Sequence, residues 1–195
     1  MLTTITTTQN KLTQAVLGLA AICTLYLLSG NALAQRAQAP LAIPNPNYVT
    51  IYMEADVSKS AAEVWKRVGK YCDIGEWFAL PGGCEMLSGK EGEVGAVRSV
   101  GNEIMVGKTE LSYTYTQPVR EGQPYNLYHG TLEARPTGAN TSKIVYTLMY
   151  DNSMVQGDDA AKQAEMDRRK SFFMRGLNNM KTLAEGGTLP AAGSR

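Results

Sequence analysis

Tyrosines are the residues of this sequence with the clearest chemical potential. Ten occur among its 195 residues, and Tyr113, Tyr115, Tyr128 and Tyr146 lie on runs with an alternating, strand-like pattern. Because alternate residues of a strand share one face, Tyr113 and Tyr115 are expected to point the same way. An aromatic ring with a hydroxyl tip can pack against an apolar guest and also form a hydrogen bond with it. The tyrosines therefore predict a pocket for a small lipophilic molecule.

Glu103 is the candidate catalytic residue. A carboxylate beside a tyrosine hydroxyl could move a proton next to a carbonyl group, as a cyclase, dehydratase or aldolase requires. The same side chain could instead lie on the surface or form a structural ion pair with Arg98. His129 is the only histidine, and it alternates out of phase with Tyr128, which places it on the outer face of a sheet. No catalytic residue is assigned on this basis.

Two cysteines follow the N-terminal region, Cys72 and Cys84, with eleven residues between them. In an oxidising compartment such a pair often forms a disulfide, whereas in the cytosol two thiols are the usual state. The sequence alone does not decide between a disulfide and two free thiols. No cluster of histidine, cysteine and carboxylate residues has the spacing of metal ligands, so we expect no metal and no cofactor.

Residues 1–34 have the pattern of a cleaved export signal. The run Ala15–Leu28 is almost wholly apolar, and Ala32 and Ala34 supply the small, any, small pattern of a cleavage site. An apolar run of about 14 residues is short for a membrane span, so a cleaved signal is favoured over an anchor helix. We expect an exported protein, periplasmic or secreted, that begins at Gln35 and has no stable membrane anchor after cleavage.

The chain that remains is the size of one domain. Removing 34 of 195 residues leaves 161, and the only charge lost is Lys11, so 18 basic residues balance 18 acidic ones. This balance argues against nucleic acid as a partner. The proline-rich segment 35–47 is expected to be an extended leader and residues 187–195 a flexible tail, and we expect a monomer or a dimer.

Periodicity predicts a strand, two helices, six strands and a long helix. The first strand covers residues 48–56, and a capping box of Ser60 and Glu63 begins the first helix. Short turns between the later strands favour an antiparallel meander. These strands are predicted near 84–88, 94–101, 103–107, 110–118, 125–135 and 142–151. The last helix runs from 158 to 185, with an apolar side of Phe172, Phe173, Gly176, Leu177, Met180, Leu183 and Ala184.

This order of elements resembles the START-like superfamily, also called SRPBCC. Its helix-grip fold is shared by Bet v 1, the plant abscisic acid receptors and bacterial polyketide cyclase/dehydrase-like proteins. The resemblance implies an α+β domain at 48–186, with a seven-stranded curved antiparallel sheet wrapped around a long C-terminal helix and two short helices after the first strand. It is carried by AAEVW at 61–65, IGEW at 74–77, VGAVR at 94–98, EIMV at 103–106, SYTYT at 112–116, YHGTL at 128–132, IVYTLMY at 144–150 and GLNNMKTL at 176–183.

The resemblance also implies a cavity between the sheet and the long helix, open near the short helix. Glu103, Tyr128 and Tyr146 match positions that point into or line this cavity, and Arg98 matches a frequent arginine of the GxxxR strand. Independently of the resemblance, Gly130 and Gly176 are expected to leave space for a guest, because each removes side-chain volume from a face otherwise crowded with large rings. The full expected set of ligand contacts is Trp77, Arg98, Glu103, Tyr113, Tyr115, Tyr128, Gly130, Tyr146, Phe172, Gly176 and Met180.

Three function classes stay open from the sequence. The first is an exported carrier or binding protein for a small lipophilic, lipid-like molecule. The second is a polyketide cyclase/dehydratase-like enzyme that uses Glu103 and tyrosine hydroxyls. The third is a non-binding accessory protein whose core is filled by its own side chains.

Overall fold

A computed structural model describes residues 45–119, 122–123 and 125–190. The predicted export signal at 1–34 and most of the leader lie outside these residues. The elements are β1 (Tyr48–Val57), α1 (Ala61–Val68), α2 (Ile74–Trp77), β2 (Met86–Ser88), β3 (Val97–Arg98), β4 (Glu103–Lys108), β5 (Ser112–Thr116), β6 (Asn126–Gly138), β7 (Thr141–Asp151) and α3 (Asp159–Ala184).

The seven strands form one antiparallel sheet in the order β1-β7-β6-β5-β4-β3-β2. Six strands follow one another as a meander, and β1 pairs with β7 at the far side. The register shifts between Met105 and Gly107 on β4, and such an irregularity bends a strand and increases its twist. Together with the long helix α3, this architecture confirms the predicted helix-grip α+β fold.

Strands β2 and β3 are much shorter than the sequence pattern predicts. Glycines with positive φ interrupt this part of the chain, among them Gly89, Gly92, Gly95 and Gly101. Left-handed backbone cannot continue a strand ladder, so the alternating pattern at 94–101 yields only two paired residues. The consequence is an irregular rim at this edge of the sheet, which lies beside the cavity described below.

Local capping fixes where two helices begin. The Ser60 hydroxyl accepts a hydrogen bond from the Glu63 backbone, and the Glu63 carboxylate accepts one from the Ser60 backbone at 3.0 Å, as the predicted capping box requires. Asp158 caps α3 by accepting from the Ala161 backbone at 2.9 Å. Each cap pairs backbone groups that a helix end would otherwise leave exposed.

The core lies between the concave face of the sheet and one side of α3. Phe173, Leu177, Met180 and Leu183 are buried there, as the predicted apolar face of the helix requires. Phe172 departs from that expectation, because 42% of it is exposed. Within the described part of the chain, no helix has both the length and the apolar character needed to cross a membrane.

Candidate functional site

A cavity of about 390 Å³ lies between the sheet and the N-terminal half of α3. Its walls come from three parts of the chain: α2 and the residues after it, the strands from the β3–β4 turn to β6, and α3. The lining residues are Ile74, Phe78, Leu80, Val100, Glu103, Tyr115, Gln117, Tyr128, Glu165, Arg168, Arg169, Phe172 and Phe173. This size and this mixture of apolar walls with a few polar groups are typical of a small-molecule site.

An aromatic cluster forms the wall where α2 meets α3. The rings of Phe78 and Phe172 stack with centroids 4.5 Å apart, and Phe78 meets Phe173 edge to face at 5.9 Å. Phe173 in turn stacks on Tyr146 at 4.8 Å. These contacts hold the rings as a rigid apolar surface. A guest against this wall would therefore be held mainly by apolar contact.

Glu103 brings a carboxylate to the opposite wall, in an ion pair with Arg98. The two residues lie directly opposite each other across the β3–β4 pair, and Arg98 Nε donates to Glu103 Oε2 at 2.7 Å. Both side chains are almost fully buried. Gln117 Nε2 donates to the other oxygen, Oε1, at 2.9 Å, and the Tyr125 hydroxyl donates to Gln117 Oε1 at 3.0 Å. Glu103 is thus a charge-paired member of a hydrogen-bonded network.

Aromatic rings enclose the Arg98 guanidinium. Its carbon lies 4.2 Å from the centroid of the Tyr71 ring and 4.9 Å from that of Tyr115. It also donates to the Tyr71 carbonyl oxygen and, at 3.4 Å, to the Tyr113 hydroxyl. Burial acts to lower the pKa of Arg98, but the potential of Tyr113 and Glu103 raises that pKa above its ordinary value. Arg98 therefore stays charged, and the pair is a fixed part of the wall.

The buried tyrosine hydroxyls are hydrogen-bonding groups in their neutral form. Tyr115 and Tyr146 share a hydrogen bond between their hydroxyls. Burial raises the pKa of both phenols well above the ordinary value, and it also raises the pKa of Tyr128. At neutral pH these groups keep their protons, so they are unsuited to act as phenolate bases. Tyr115 and Tyr128 line the cavity and present neutral hydroxyls for hydrogen bonds with a guest.

A second ion pair lies at the α3 side of the cavity. Arg169 Nε donates to Glu165 Oε1 at 2.8 Å, and the Tyr150 hydroxyl donates to Glu165 Oε2 at 2.6 Å. The Arg169 guanidinium carbon also lies 4.7 Å and 4.6 Å from the ring centroids of Tyr125 and Tyr150. Both charges are partly buried and compensate each other.

The structure brings four of the predicted contacts to the cavity: Glu103, Tyr115, Tyr128 and Phe172. Arg98 and Tyr146 lie one layer behind, bonded to Glu103 and Tyr115. Tyr113 packs 5.7 Å from Trp65 and 5.2 Å from Tyr71, under α1 and away from the cavity. Met180 and Trp77 are each 1% exposed in the core.

The two glycines expected to leave space for a guest do not do so. A Cβ on Gly176 would lie 2.8 Å from the Phe78 ring and 3.2 Å from Trp77, and a Cβ on Gly130 would lie 2.5 Å from the Tyr115 ring. Neighbouring aromatic rings already occupy the volume that these glycines release. Their role is close packing, which lets α2 approach α3 and lets Tyr115 lie across β6.

Several lining residues are absent from the sequence-based set, notably Phe78, Gln117, Glu165, Arg168 and Arg169. On α3, the spacing from 165 through 168 and 169 to 172 is that of one helical face. That spacing extends the apolar side by two turns toward the N-terminus, and it is the signal that could have found these residues. Phe78 and Gln117 carry no such local signal, because distant elements bring them to the site.

A disulfide joins Cys72 and Cys84. It ties the segment before α2 to the segment before β2, and so closes the loop that contains Phe78 and Leu80. Gly75 makes this approach possible, since a Cβ there would lie 2.8 Å from the Cys84 backbone nitrogen. The disulfide therefore restrains the loop that supplies Phe78 and Leu80 to the cavity wall. Within the described residues, no three histidine, cysteine, aspartate or glutamate side chains are grouped as metal ligands.

Comparison with solved structures supports the fold. A solution NMR structure of a protein from Thermobifida fusca is 22% identical, with a TM-score of 0.57 over 73% of this chain and 98% of that chain. The ZhuI aromatase/cyclase from Streptomyces sp. R1128 is 17% identical, with a TM-score of 0.52 over 73% and 100%. Truncated norcoclaurine synthase from Thalictrum flavum is 13% identical, with a TM-score of 0.51 over 76% and 100%. No family model and no curated protein matches the chain. The structural likeness shows the helix-grip fold.

Proposed function

We propose that this protein binds and carries a small lipophilic molecule in the cavity between the sheet and α3. The observation that carries the proposal is the cavity itself, about 390 Å³ and bounded on one side by the stacked Phe78 and Phe172 rings. Burying the apolar surface of a guest against such walls supplies about 25 cal/mol per Å². The neutral hydroxyls and the Gln117 amide would orient the guest rather than provide most of the affinity.

The state of Glu103 favours binding over catalysis. A general base must be able to accept a proton from its substrate, yet this carboxylate already accepts from Arg98 on one oxygen and from Gln117 on the other. The buried phenols stay protonated, so they do not offer a second base. The likeness to an aromatase/cyclase and to norcoclaurine synthase keeps a cyclase or dehydratase activity as the alternative, with Glu103 lining the cavity as its one supporting observation.

The cavity also argues against a non-binding accessory protein. Protein interiors are close-packed, and a void of this size forfeits many contacts unless a guest or solvent fills it. Here the tight glycine contacts show that packing is efficient elsewhere in the same core. We infer that the space is kept for a guest.

A cavity-filling pair of variants tests the proposal. Val100 lines the cavity, whereas Val106 is 46% exposed and does not, so Val100→Trp and Val106→Trp add the same bulk inside and outside the site. The probe is N-phenyl-1-naphthylamine, an uncharged lipophilic dye whose fluorescence rises in apolar surroundings. We expect Val100→Trp to weaken dye binding at least about tenfold while its melting temperature stays close to that of the wild type. Unchanged dye binding by Val100→Trp would refute the assignment of this cavity as the site.

We further propose that the carrier acts outside the cytoplasm. The support is the signal-like pattern of residues 1–34 and the even charge balance of the remaining chain. A disulfide between Cys72 and Cys84 is compatible with an oxidising compartment. An exported carrier would meet its guest in the periplasm or the medium.

A further inference from the structure

The buried charges around the cavity compensate one another. Arg98 is paired with Glu103 on the sheet side, and Arg169 with Glu165 on the helix side. A guest in the interior therefore meets no net charge from these four residues. A fully buried anionic group would have to give up its hydration without gaining a free cation, which is costly. The interior of the cavity is therefore suited to the uncharged, apolar part of a guest.

The mouth of the cavity differs, because two arginines flank the exposed Phe172 ring. Arg168, Phe172 and Arg175 have the spacing i, i+4 and i+7 along α3, so they form one stripe on the helix. Arg168 lines the cavity, and the Arg175 guanidinium carbon lies 5.4 Å from the centroid of the Phe172 ring. Phe172 in turn stacks on Phe78, so the stripe continues directly into the aromatic wall.

Within the described residues, no carboxylate forms an ion pair with either arginine of this stripe. Glu165, the acidic residue one helical turn before Arg168, is already bonded to Arg169 and Tyr150. Both guanidinium groups are exposed, so each can contact an anion without a large desolvation cost.

We propose that the guest is an anionic amphiphile, whose carboxylate, sulfonate or phosphate group lies at the mouth between Arg168 and Arg175 while its apolar body enters the cavity. This inference rests on the proposed function, and it adds the charge and the orientation of the guest. Guanidinium groups bind such oxyanions through paired N–H donors. The anionic group at the mouth stays partly hydrated, while the apolar part of the guest occupies the interior, where the buried charges compensate one another.

Two dyes that share one aromatic skeleton distinguish the contribution of the charged group to binding from that of the apolar part. 8-Anilinonaphthalene-1-sulfonate carries a sulfonate, and N-phenyl-1-naphthylamine is the same skeleton without it. The variant is Arg168→Gln with Arg175→Gln. The control is Lys170→Gln, which removes one charge from an exposed position on another side of the same helix. Because the substituted residues are exposed, all variants should melt at the wild-type temperature.

We expect the double variant to raise the Kd of the sulfonate dye about fivefold to twentyfold, because each exposed charge contact contributes up to about a factor of five. The Kd of the uncharged dye should stay within about twofold, and Lys170→Gln should change neither. The sulfonate dye should also bind more weakly as salt is added. Equal responses of the two dyes to the double variant would overturn this inference and leave the proposed function standing. Failure of both dyes to bind the wild-type protein would overturn both proposals.

A lipid surface is the other source of the same anionic chemistry, and a vesicle experiment distinguishes it. We expect the protein not to sediment with vesicles of phosphatidylglycerol or phosphatidylcholine under conditions in which it binds the monomeric sulfonate dye. Sedimentation with the phosphatidylglycerol vesicles, without binding of the monomeric dye, would assign the stripe to a membrane surface and overturn the proposal of an anionic guest.

Discussion

Removing the Arg98 side chain should destabilise the fold far more than removing a comparable arginine at the surface. Arg98→Met keeps an unbranched apolar stem but deletes the guanidinium that Glu103 and the Tyr71 carbonyl contact. Loss of one partner of a buried ion pair typically costs about 3–5 kcal/mol, because the other charge stays buried. For a domain of this size, each kcal/mol lowers the melting temperature by about 2–4 °C, so we expect a fall of about 6–20 °C.

The chain supplies a matched control for this prediction. Arg67 forms two hydrogen bonds with Glu76 at 2.8 and 2.7 Å, but both side chains are more than 40% exposed. Arg67→Met should cost about 0–1 kcal/mol, because water replaces the lost interaction. Urea unfolding monitored by circular dichroism gives both values on the same scale, and the slope with urea shows whether the unfolded states are comparable.

A double variant tests the physical reason behind the magnitude. If the cost of Arg98→Met comes from the uncompensated carboxylate, then Glu103→Gln in the same chain should recover part of the lost stability, because an amide is uncharged. An Arg98→Met variant no less stable than Arg67→Met would refute the reasoning. Additive losses in the double variant would show that packing against the tyrosine rings, not charge, determines the cost.

Three further outcomes are expected. Gly176→Leu should lower the free energy of unfolding by about 1–3 kcal/mol, since the new side chain meets the Phe78 ring, and a melting temperature equal to that of the wild type would contradict the close-packing role. Replacing Cys72 and Cys84 together by serine should cost about 3 kcal/mol in urea unfolding, and an unchanged midpoint would show that the bridge does not restrain the unfolded chain. Intact-mass measurement of exported protein should give a chain that begins at Gln35, whereas a full-length chain in the membrane fraction would refute cleavage.

Local patterns in the sequence were sufficient to predict the order of the elements. Strand and helix periods, turn glycines and the capping box of Ser60 and Glu63 are set by neighbours within a few residues. They predicted one strand, two helices, six strands and a long helix, and the structure confirms this order. The sequence pattern did not predict how short β2 and β3 are. Positive-φ glycines and pairing with other strands decide where a strand ladder ends.

The positions of individual tyrosines depended on the tertiary structure. Tyr113 and Tyr115 lie on one face of β5, as alternation predicts, and both are buried. Residues two apart on a strand are separated by about 7 Å, however, and different elements cover the two places. Tyr113 lies beneath Trp65 of α1, whereas Tyr115 reaches the cavity beside α3. Alternation determines a face but does not determine what packs against it.

The sequence by itself determined the fold class and brought Glu103, Tyr115, Tyr128 and Phe172 into consideration as contacts. Only the tertiary structure decided between a ligand role and an ion pair for Arg98, through the β3–β4 register that places it opposite Glu103. It also decided that Phe78, about 100 residues earlier in the chain, occupies the space beside Gly176. The physical reason is that periodicity reports local geometry, whereas a cavity is what remains after distant side chains have packed.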